Sequence, residues 1–416
     1  MSAQIDSAPD LIRPVNQPLI FTVSDTGSAP ERFIVEVFED GTNIATLYLT
    51  PNESNKVHFD LAEISRSRVE VDNLIRDKSS VLHSYTAAPF TTGREGMKKY
   101  EVKVGRYNGG TAVLNQDQAV VYLVGGAEQI SSGLLPSFAE YYPTSSSQKT
   151  WLTDRKLTNG RININVSETD EGVVAFLHDS LIIGGAGFMI AYNIYNGSTF
   201  LQSEKLFGIT SNGGQALTST DYNQKITYST FFPGNTAWIP IPWKPSYNPT
   251  WTHYEIELQN NIGVTVSAPI RFTKDCGPVK HTSTQIGWTN TRGGWDYLRF
   301  DGRARETTMA RSKNYKKAVG NWNGSTYSFL PSAREIKPYQ TTASKSYSLN
   351  SISFTQAEVE LLQYAFRSEN VMMKYGSDEW LPVTIDTKSY SISESISKIP
   401  SVALSVTRSE ERRVGK

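Results

Sequence analysis

Residues 286–300 read IGWTNTRGGWDYLRF, and this stretch decides the fold class because it has the pattern of a β-hairpin. Its five central residues, Asn-Thr-Arg-Gly-Gly, form a turn cluster whose two glycines can adopt positive φ without steric cost. The stretch contains no recognisable reaction centre. It predicts a scaffold of sheets whose function is assembly or binding. The β-branched and aromatic side chains that suit a pleated, half-buried surface are Ile286, Trp288, Tyr297 and Phe300.

The composition favours the same fold class and excludes several functions. The 416 residues include 21 Tyr, 17 Phe, 8 Trp and 30 Gly, and they almost lack long helical runs of Leu, Ala, Glu and Lys. Such a composition is typical of β-sandwiches and barrels. The 41 basic and 41 acidic side chains cancel, which argues against a general polyanion binder. With Cys276 as the single cysteine, neither an intrachain disulfide nor a multi-cysteine metal site is possible.

The sequence also lacks the patterns of membrane insertion and export. No apolar run reaches the roughly 18 residues that a membrane span needs, and residues 1–18 have neither the basic start nor the apolar core of a signal peptide. We therefore expect no membrane association, and a chain that is made in the cytosol or assembled there into something larger.

The order of strand and turn signals predicts an arm followed by three units. Residues 1–18 predict an extended N-terminal arm, 19–104 an N-terminal β-sandwich, and 105–268 a central β domain. Residues 269–416 predict a C-terminal α+β domain that holds the Gly-Gly hairpin. Its one convincing helix starts at a capping box, Thr355 to Glu358, and continues with an apolar stripe at helical spacing. The predicted fold is mainly β, a multi-domain β-sandwich or barrel chain with one C-terminal helix packed on a small antiparallel sheet. The stripe consists of Val359, Leu362, Ala365 and Phe366.

Residue types that carry chemistry are present but do not form a reactive pattern. No two of the five histidines are three or four residues apart, so no metal or cofactor is expected. Asp170 and Glu171 are adjacent, and neighbouring strand residues face opposite sides, so they do not form the carboxylate pair of a glycosidase. We therefore predict no catalytic residues and no enzyme activity, with a glycan-degrading enzyme as a remote alternative.

Two groups of side chains are candidates for binding. An aromatic group in a proline-rich stretch could stack on sugar rings, although packing between sheets or at a subunit contact is the preferred interpretation. A basic segment with interleaved Tyr297, Phe300 and Tyr315 could contact nucleic acid, but inter-subunit ion pairing ranks above it in a neutral protein. The aromatic group is Trp238, Trp243, Trp251 and Tyr254. The basic segment is Arg292, Arg299, Arg303, Arg305, Arg311, Lys313, Lys316 and Lys317.

Three patches of the chain resemble one family. Trp288-Thr289-Asn290 followed by residues 292–300 is similar to an N-x-x-Gly-Gly-aromatic-Asp segment of uncharacterised virion proteins from tailed bacteriophages that infect Bacteroidetes. Residues 33–41 with 57–61 resemble the N-terminal sandwich of these proteins. Residues 355–406 resemble their C-terminal unit, and the middle domain has no counterpart. The resemblance implies a virion structural protein, of the tail or baseplate, and supplies no catalytic residues.

These observations together predict a non-enzymatic structural component of a phage virion, assembled in the host cytoplasm. Its expected partners are other virion proteins and further copies of itself in a homo-oligomer, without cofactor, membrane or nucleic acid. The alternative is a carbohydrate-binding protein that recognises a host surface glycan during attachment. The expected contact residues are Trp288, Arg292, Trp295, Tyr297, Arg299 and Arg303.

Overall fold

The protein is a chain of β-sheet units. The computed structural model describes residues 2–10, 12–69, 97–126, 151–166, 170, 173–178, 188–209, 235–240, 251–260, 264–275, 281, 283–316, 320–328, 336–351, 354–375, 380–387 and 402–409. Twenty-five strands and two helices lie within these residues. The predicted class, a mainly β multi-domain chain with one small C-terminal helix, is confirmed.

The N-terminal unit consists of two sheets around one core. The five-stranded sheet has the order β2-β8-β7-β4-β5, and the three-stranded sheet has the order β1-β3-β6. Phe33, Val35 and Val37 alternate into the shared core, as their spacing predicts. Asp40 and Gly41 form the predicted turn, both with positive φ. The elements are β1 Ala3–Ser7, β2 Ile12–Pro14, β3 Ile20–Asp25, β4 Arg32–Glu39, β5 Thr42–Leu49, β6 Lys56–Asp60, α1 Ala62–Ser65, β7 Met97–Asn108 and β8 Thr111–Val124.

The N-terminal residues form strands of this unit and not a separate arm. β1 pairs with β3, β2 pairs in parallel with β8, and the backbone N–H of Ile5 donates to the carboxylate of Asp117 at 2.7 Å. Both strands are short, and their hydrogen-bond partners follow later in the chain, with Ala3 opposite Asp25 and Ile12 beside Tyr122. The predicted boundary at 104/105 is also wrong, because it falls inside β7, which continues into the hairpin with β8.

The central unit is a five-stranded sheet with the order β12-β11-β14-β15-β9, accompanied by the pair β10-β13. β15 pairs with β14 and, in parallel, with β9. The predicted boundary at 268/269 is therefore wrong, because β15 lies beyond it and still belongs to the central sheet. The strands are β9 Ile162–Val166, β10 Val173–His178, β11 Phe188–Asn196, β12 Thr199–Ile209, β13 Asn235–Pro240, β14 His253–Asn260 and β15 Ile270–Lys274.

The C-terminal unit has two four-stranded sheets, ordered β17-β16-β22-β23 and β18-β21-β25-β24, and a short pair β19-β20. β16 and β17 form the predicted hairpin, with Trp288 opposite Asp296. The elements are β16 Thr284–Thr289, β17 Trp295–Phe300, β18 Arg305–Lys316, β19 Asn321–Trp322, β20 Tyr327–Ser328, β21 Ile336–Ser351, α2 Gln356–Ala365, β22 Val371–Tyr375, β23 Trp380–Pro382, β24 Thr384–Ile385 and β25 Val402–Ser409.

Helix α2 begins at the predicted capping box. The N–H of Glu358 donates to the side chain of Thr355 at 3.3 Å, and the Glu358 carboxylate accepts from the N–H of Thr355 at 2.8 Å. The two bonds satisfy backbone groups that a helix start otherwise leaves unpaired. Val359 and Leu362 are fully buried in the core that the helix shares with the hairpin. Neither helix of the described residues has the length and apolar character that a membrane crossing requires.

Candidate functional site

The turn of the β16–β17 hairpin is held by the side chain of Asn290, which is fully buried. Its amide nitrogen donates to the carbonyl of Leu152 at 2.8 Å, and its amide oxygen accepts from the N–H groups of Arg292 at 3.0 Å and Gly294 at 2.9 Å. A Cβ at Gly294 would overlap the carbonyl oxygen of Leu152, so the second glycine of the turn permits this close approach. The turn is thus bound to a segment almost 140 residues away in the chain.

Residues 151–156, which we name the seam segment, lie along this turn. The side chain of Asp154 in this segment is buried and forms an ion pair with Arg292. Its carboxylate also accepts from the N–H of Thr291 at 2.9 Å and from the Thr291 hydroxyl at 2.6 Å. Because several donors satisfy this charge, its burial is compatible with a stable fold.

A second carboxyl group, that of Asp296, also contacts the seam segment. Asp296 is only 3 % exposed and accepts hydrogen bonds from the hydroxyl of Thr153 and, at 2.8 Å, from the N–H of Asp154. Burial, reinforced by the negative charge of Asp154, raises the pKa of the Asp296 carboxyl, while Arg155 opposes the shift. Two acidic side chains, Asp154 and Asp296, therefore lie close together at the seam segment, and the negative charge of Asp154 disfavours ionisation of Asp296.

The N-terminal unit also reaches the turn. The side-chain amide of Asn16 donates to the carbonyl of Gly126. A Cβ at Gly126 would lie 3.0 Å from both the carbonyl oxygen of Asn290 and the nitrogen of Gly293. The backbone of Gly126 consequently packs directly against the turn, so the N-terminal unit and the seam segment both contact the hairpin turn.

Most of the hairpin side chains predicted as contact residues are internal. Trp288 is fully buried, Trp295 is 3 % exposed and Tyr297 is 7 % exposed. The prediction that they form an outward contact surface does not agree with this burial, because the seam segment and helix α2 cover the hairpin from within the same chain. Arg292 binds Asp154, and Arg299 binds Asp275 and Asp170. Arg303 alone of the six is exposed.

A cavity of about 270 Å³ lies between the central sheet and strand β17. Its lining includes the aliphatic side chains of Ile164 in β9 and Ile270 in β15, and the charged side chains of Arg299 and Asp170. These two charged groups are paired with each other, with Nε and Oδ2 3.8 Å apart. Within the described part of the chain, no group of three His, Cys, Asp or Glu side chains is placed to hold a metal ion.

Two of the four aromatic residues considered for sugar stacking lie in the core of the central unit. Trp251 is 3 % exposed and Tyr254 is fully buried, with their ring centroids 5.5 Å apart. Tyr254 also stacks on Phe272 at 4.8 Å. Packing between strands is thus their role in the structure. The backbone of Trp238 pairs with Ala175 between β13 and β10, and Trp243 lies outside the described residues.

The most exposed element of the described chain is a β-ribbon that leaves the C-terminal unit. β18 pairs with β21 from Arg305 opposite Ser348 to Lys316 opposite Ile336, whereas β25 covers β21 only from Ser344 onward. We name residues 310–343 the hairpin arm; within its described parts, 310–316 of β18 and 336–343 of β21 form a two-stranded ribbon beyond the part of β21 that β25 covers. All twelve residues of β18 are exposed. The described parts of the hairpin arm are 310–316, 320–328 and 336–343.

The hairpin arm carries large side chains that are open to solvent. Tyr315 and Tyr339 are 46 % and 63 % exposed, with their ring centroids 6.4 Å apart. At the far end, Trp322 of β19 and Tyr327 of β20 are 63 % and 61 % exposed. The basic residues Arg311, Lys313 and Lys316 of the predicted contact segment lie on the same ribbon. The sequence indicated the charge of this segment but not that it stands apart from the sheet.

Comparisons with known proteins give little further information. No family model matches the chain, and no curated protein matches it. Among solved structures, a marsupial T cell receptor matches with 7% sequence identity and a TM-score of 0.20, over 84% of this chain and 96% of the receptor chain. A tetra-tandem repeat from the extending region of a large adhesion protein matches with 11% identity and a TM-score of 0.18, over 92% and 76%. Scores this low indicate neither a shared overall fold nor a shared function.

Proposed function

We propose that this protein is a non-enzymatic structural component of a tailed phage particle, in the tail or baseplate, and that it works by protein–protein assembly. The hairpin arm is the observation that carries the proposal. It presents four exposed aromatic rings, and among the described strands β21 is the one that pairs with β18. Clusters of exposed aromatic side chains are typical of protein contact sites.

The energetics of a two-stranded ribbon support this interpretation. An isolated pair of strands is only marginally stable in water, because neither face is covered and few apolar contacts form. The outer edge of β18 also presents backbone groups that a further strand could pair with. A partner that covers the hairpin arm would bury its aromatic rings and satisfy this edge, so docking and ordering of the ribbon would support each other.

The rest of the chain could hold the hairpin arm in a fixed position, because buried hydrogen bonds connect its units. The turn at Asn290 links the N-terminal unit, the seam segment and the C-terminal unit through buried hydrogen bonds. Buried, fully satisfied polar contacts fix the relative position of the elements that make them. The sequence resemblance to phage virion proteins supports the assignment to a particle, and the prediction that the protein is not an enzyme is part of the proposal.

The proposal is tested by co-expressing this chain with the neighbouring genes of its own genome. Particles are separated by gradient sedimentation, and the fractions are analysed by mass spectrometry. We expect the chain to sediment with tails or complete particles and to stay bound after a salt wash. Recovery of the chain only at the top of the gradient, with complete particles formed in its absence, would exclude a structural role.

A further inference from the structure

The charge of this neutral chain is distributed unevenly. Residues 310–343, the hairpin arm, contain six basic side chains and one acidic side chain. Residues 1–126 contain sixteen acidic and twelve basic side chains, whereas the rest of the chain is close to balance. The positive excess of the hairpin arm is therefore matched almost entirely by the negative excess of the N-terminal unit.

Exposed apolar side chains accompany both charge excesses. On the hairpin arm, Ile336 is 61 % exposed beside Tyr315 and Tyr339. On the N-terminal unit, Tyr48 is 53 % exposed and Val113 and Leu114 are 49 % and 44 % exposed. In such an interface the apolar contacts contribute to affinity, and the opposite charges contribute to selectivity for the correct partner.

We propose that the hairpin arm docks on the N-terminal unit of a second copy of this chain. The contact joins two different surfaces, so each copy offers one surface of each kind and the assembly grows head to tail. Such heterologous contacts close into rings or continue as filaments. This inference rests on the proposed assembly function and specifies its first partner.

A nucleic acid is the competing partner, because basic ribbons with aromatic rings also bind single strands. Two observations favour the second copy. The positive excess has its counterpart within the same polypeptide, in residues 1–126. In addition, the aliphatic side chain of Ile336 at the arm cannot stack on a base as an aromatic ring does, whereas it can pack against an apolar protein surface.

The first test reverses two charges on the arm of the full chain, with Lys313→Glu and Lys316→Glu. Mass is measured by light scattering over a concentration series, in nuclease-treated protein at low and high salt. We expect the wild type to associate and the variant to associate about tenfold more weakly or not at all, since the formal charge of the arm falls from +5 to +1 and its attraction to the acidic N-terminal unit is largely lost. The control, Arg303→Glu with Arg367→Glu, reverses two exposed charges away from the arm and should associate as the wild type does.

A second test uses the complementary surface. Glu53 and Glu63 are exposed on the N-terminal unit, and the variant Glu53→Lys with Glu63→Lys should also lose self-association. A mixture of this variant with the arm variant should form heterodimers, because the unchanged arm of one variant then meets the unchanged N-terminal unit of the other. Recovery in the mixture cannot arise from misfolding of either variant.

Three results would overturn the inference. The first is a wild type that stays monomeric at every concentration, and the second is an arm variant that associates as well as the wild type. The third is binding of a single-stranded oligonucleotide that the arm variant loses, without self-association, which would assign the arm to nucleic acid. None of these results decides whether the chain sediments with particles, so failure of the proposed function remains distinguishable.

Discussion

The backbone N–H of Asp154 donates a 2.8 Å hydrogen bond to the carboxylate of Asp296, although 142 residues separate the two in the chain. Each of the two acidic side chains is buried at the contact between the seam segment and the hairpin, and Asp154 forms an ion pair with Arg292. The contact therefore contains one well-compensated carboxylate and one carboxyl group whose ionisation is disfavoured.

The first prediction concerns the pH dependence of this contact. Because the pKa of Asp296 is raised, the folded chain keeps its proton to a higher pH than the unfolded chain does. The contribution of Asp296 to the free energy of unfolding therefore falls as pH rises from the unfolded pKa through the folded one. Asp296→Asn should remove this decline while keeping an acceptor for the N–H of Asp154. Thermal unfolding in the mildly acidic range, compared between wild type and variant, measures it.

Asp296→Ala is the companion variant, because it removes both the charge and the acceptor. It leaves the buried N–H of Asp154 without its partner, which costs about 1–3 kcal/mol. If the asparagine variant were as unstable as the alanine variant at every pH, ionisation of Asp296 would have no part in the stability of the seam.

The second prediction concerns Asn290, whose side chain makes three hydrogen bonds at the turn. Asn290→Ala should lower the free energy of unfolding by about 2–4 kcal/mol, because buried backbone groups lose their partners. Asn323→Ala is the matched control, since Asn323 accepts from Ser325 and Thr326 in an exposed turn. Water replaces those bonds, and the change should stay under about 1 kcal/mol. Denaturant titrations compare the two, and equal losses would contradict an internal role for the turn.

The third prediction concerns Trp288, which is fully buried between the hairpin and helix α2. Its indole nitrogen has no hydrogen-bond partner among the described residues. Trp288→Phe should therefore cost far less than Trp288→Ala, for which we expect a loss of about 3–5 kcal/mol from the cavity. Chemical unfolding of both variants checks the ranking. A phenylalanine variant as unstable as the alanine variant would indicate a polar contact of the indole that we have not recognised.

The fourth prediction separates the packing role of Trp251 from a role in sugar binding. Trp251 contacts Tyr254, and the ammonium group of Lys274 lies 5.1 Å from the centroid of its ring. Trp251→Ala should lower the free energy of unfolding by about 3–5 kcal/mol, since it removes a core side chain. Thermal unfolding and a glycan-binding screen are done on the same sample. Unchanged stability with a lost glycan signal would favour the carbohydrate-binding alternative.

Short sequence motifs predicted two elements of the C-terminal unit, the hairpin turn and the start of helix α2. The Gly-Gly turn located the hairpin, and the capping box located the start of helix α2, because each depends on residues within four positions of one another. The first two strands were missed, since each is short and its hydrogen-bond partners lie elsewhere in the chain. Tyr100 and Val121, both in the N-terminal core, show why the boundary at 104/105 failed, because one sheet joins their strands.

The site was predictable only in part for a related reason. The sequence singled out Arg292 as a contact residue, but its partners Thr153 and Asp154 lie in a segment without any pattern that links it to the hairpin. The hairpin arm gave no alternating signal, because that signal arises when one face of a strand is buried. In β18 both faces are exposed, so only charge and aromatic content indicated the element.

The pairing of β2 with β8 has a consequence for folding during translation. Ile12 lies beside Tyr122, so its strand partner is translated 110 residues later. At about 5–20 residues per second, that interval lasts roughly 6–22 seconds. β1, in contrast, pairs with β3, and Ala3 meets Asp25 after only a short delay. The nascent chain can therefore pair β1 with β3 early in synthesis. β2, in contrast, remains without its partner strand until β8 has left the ribosomal exit tunnel.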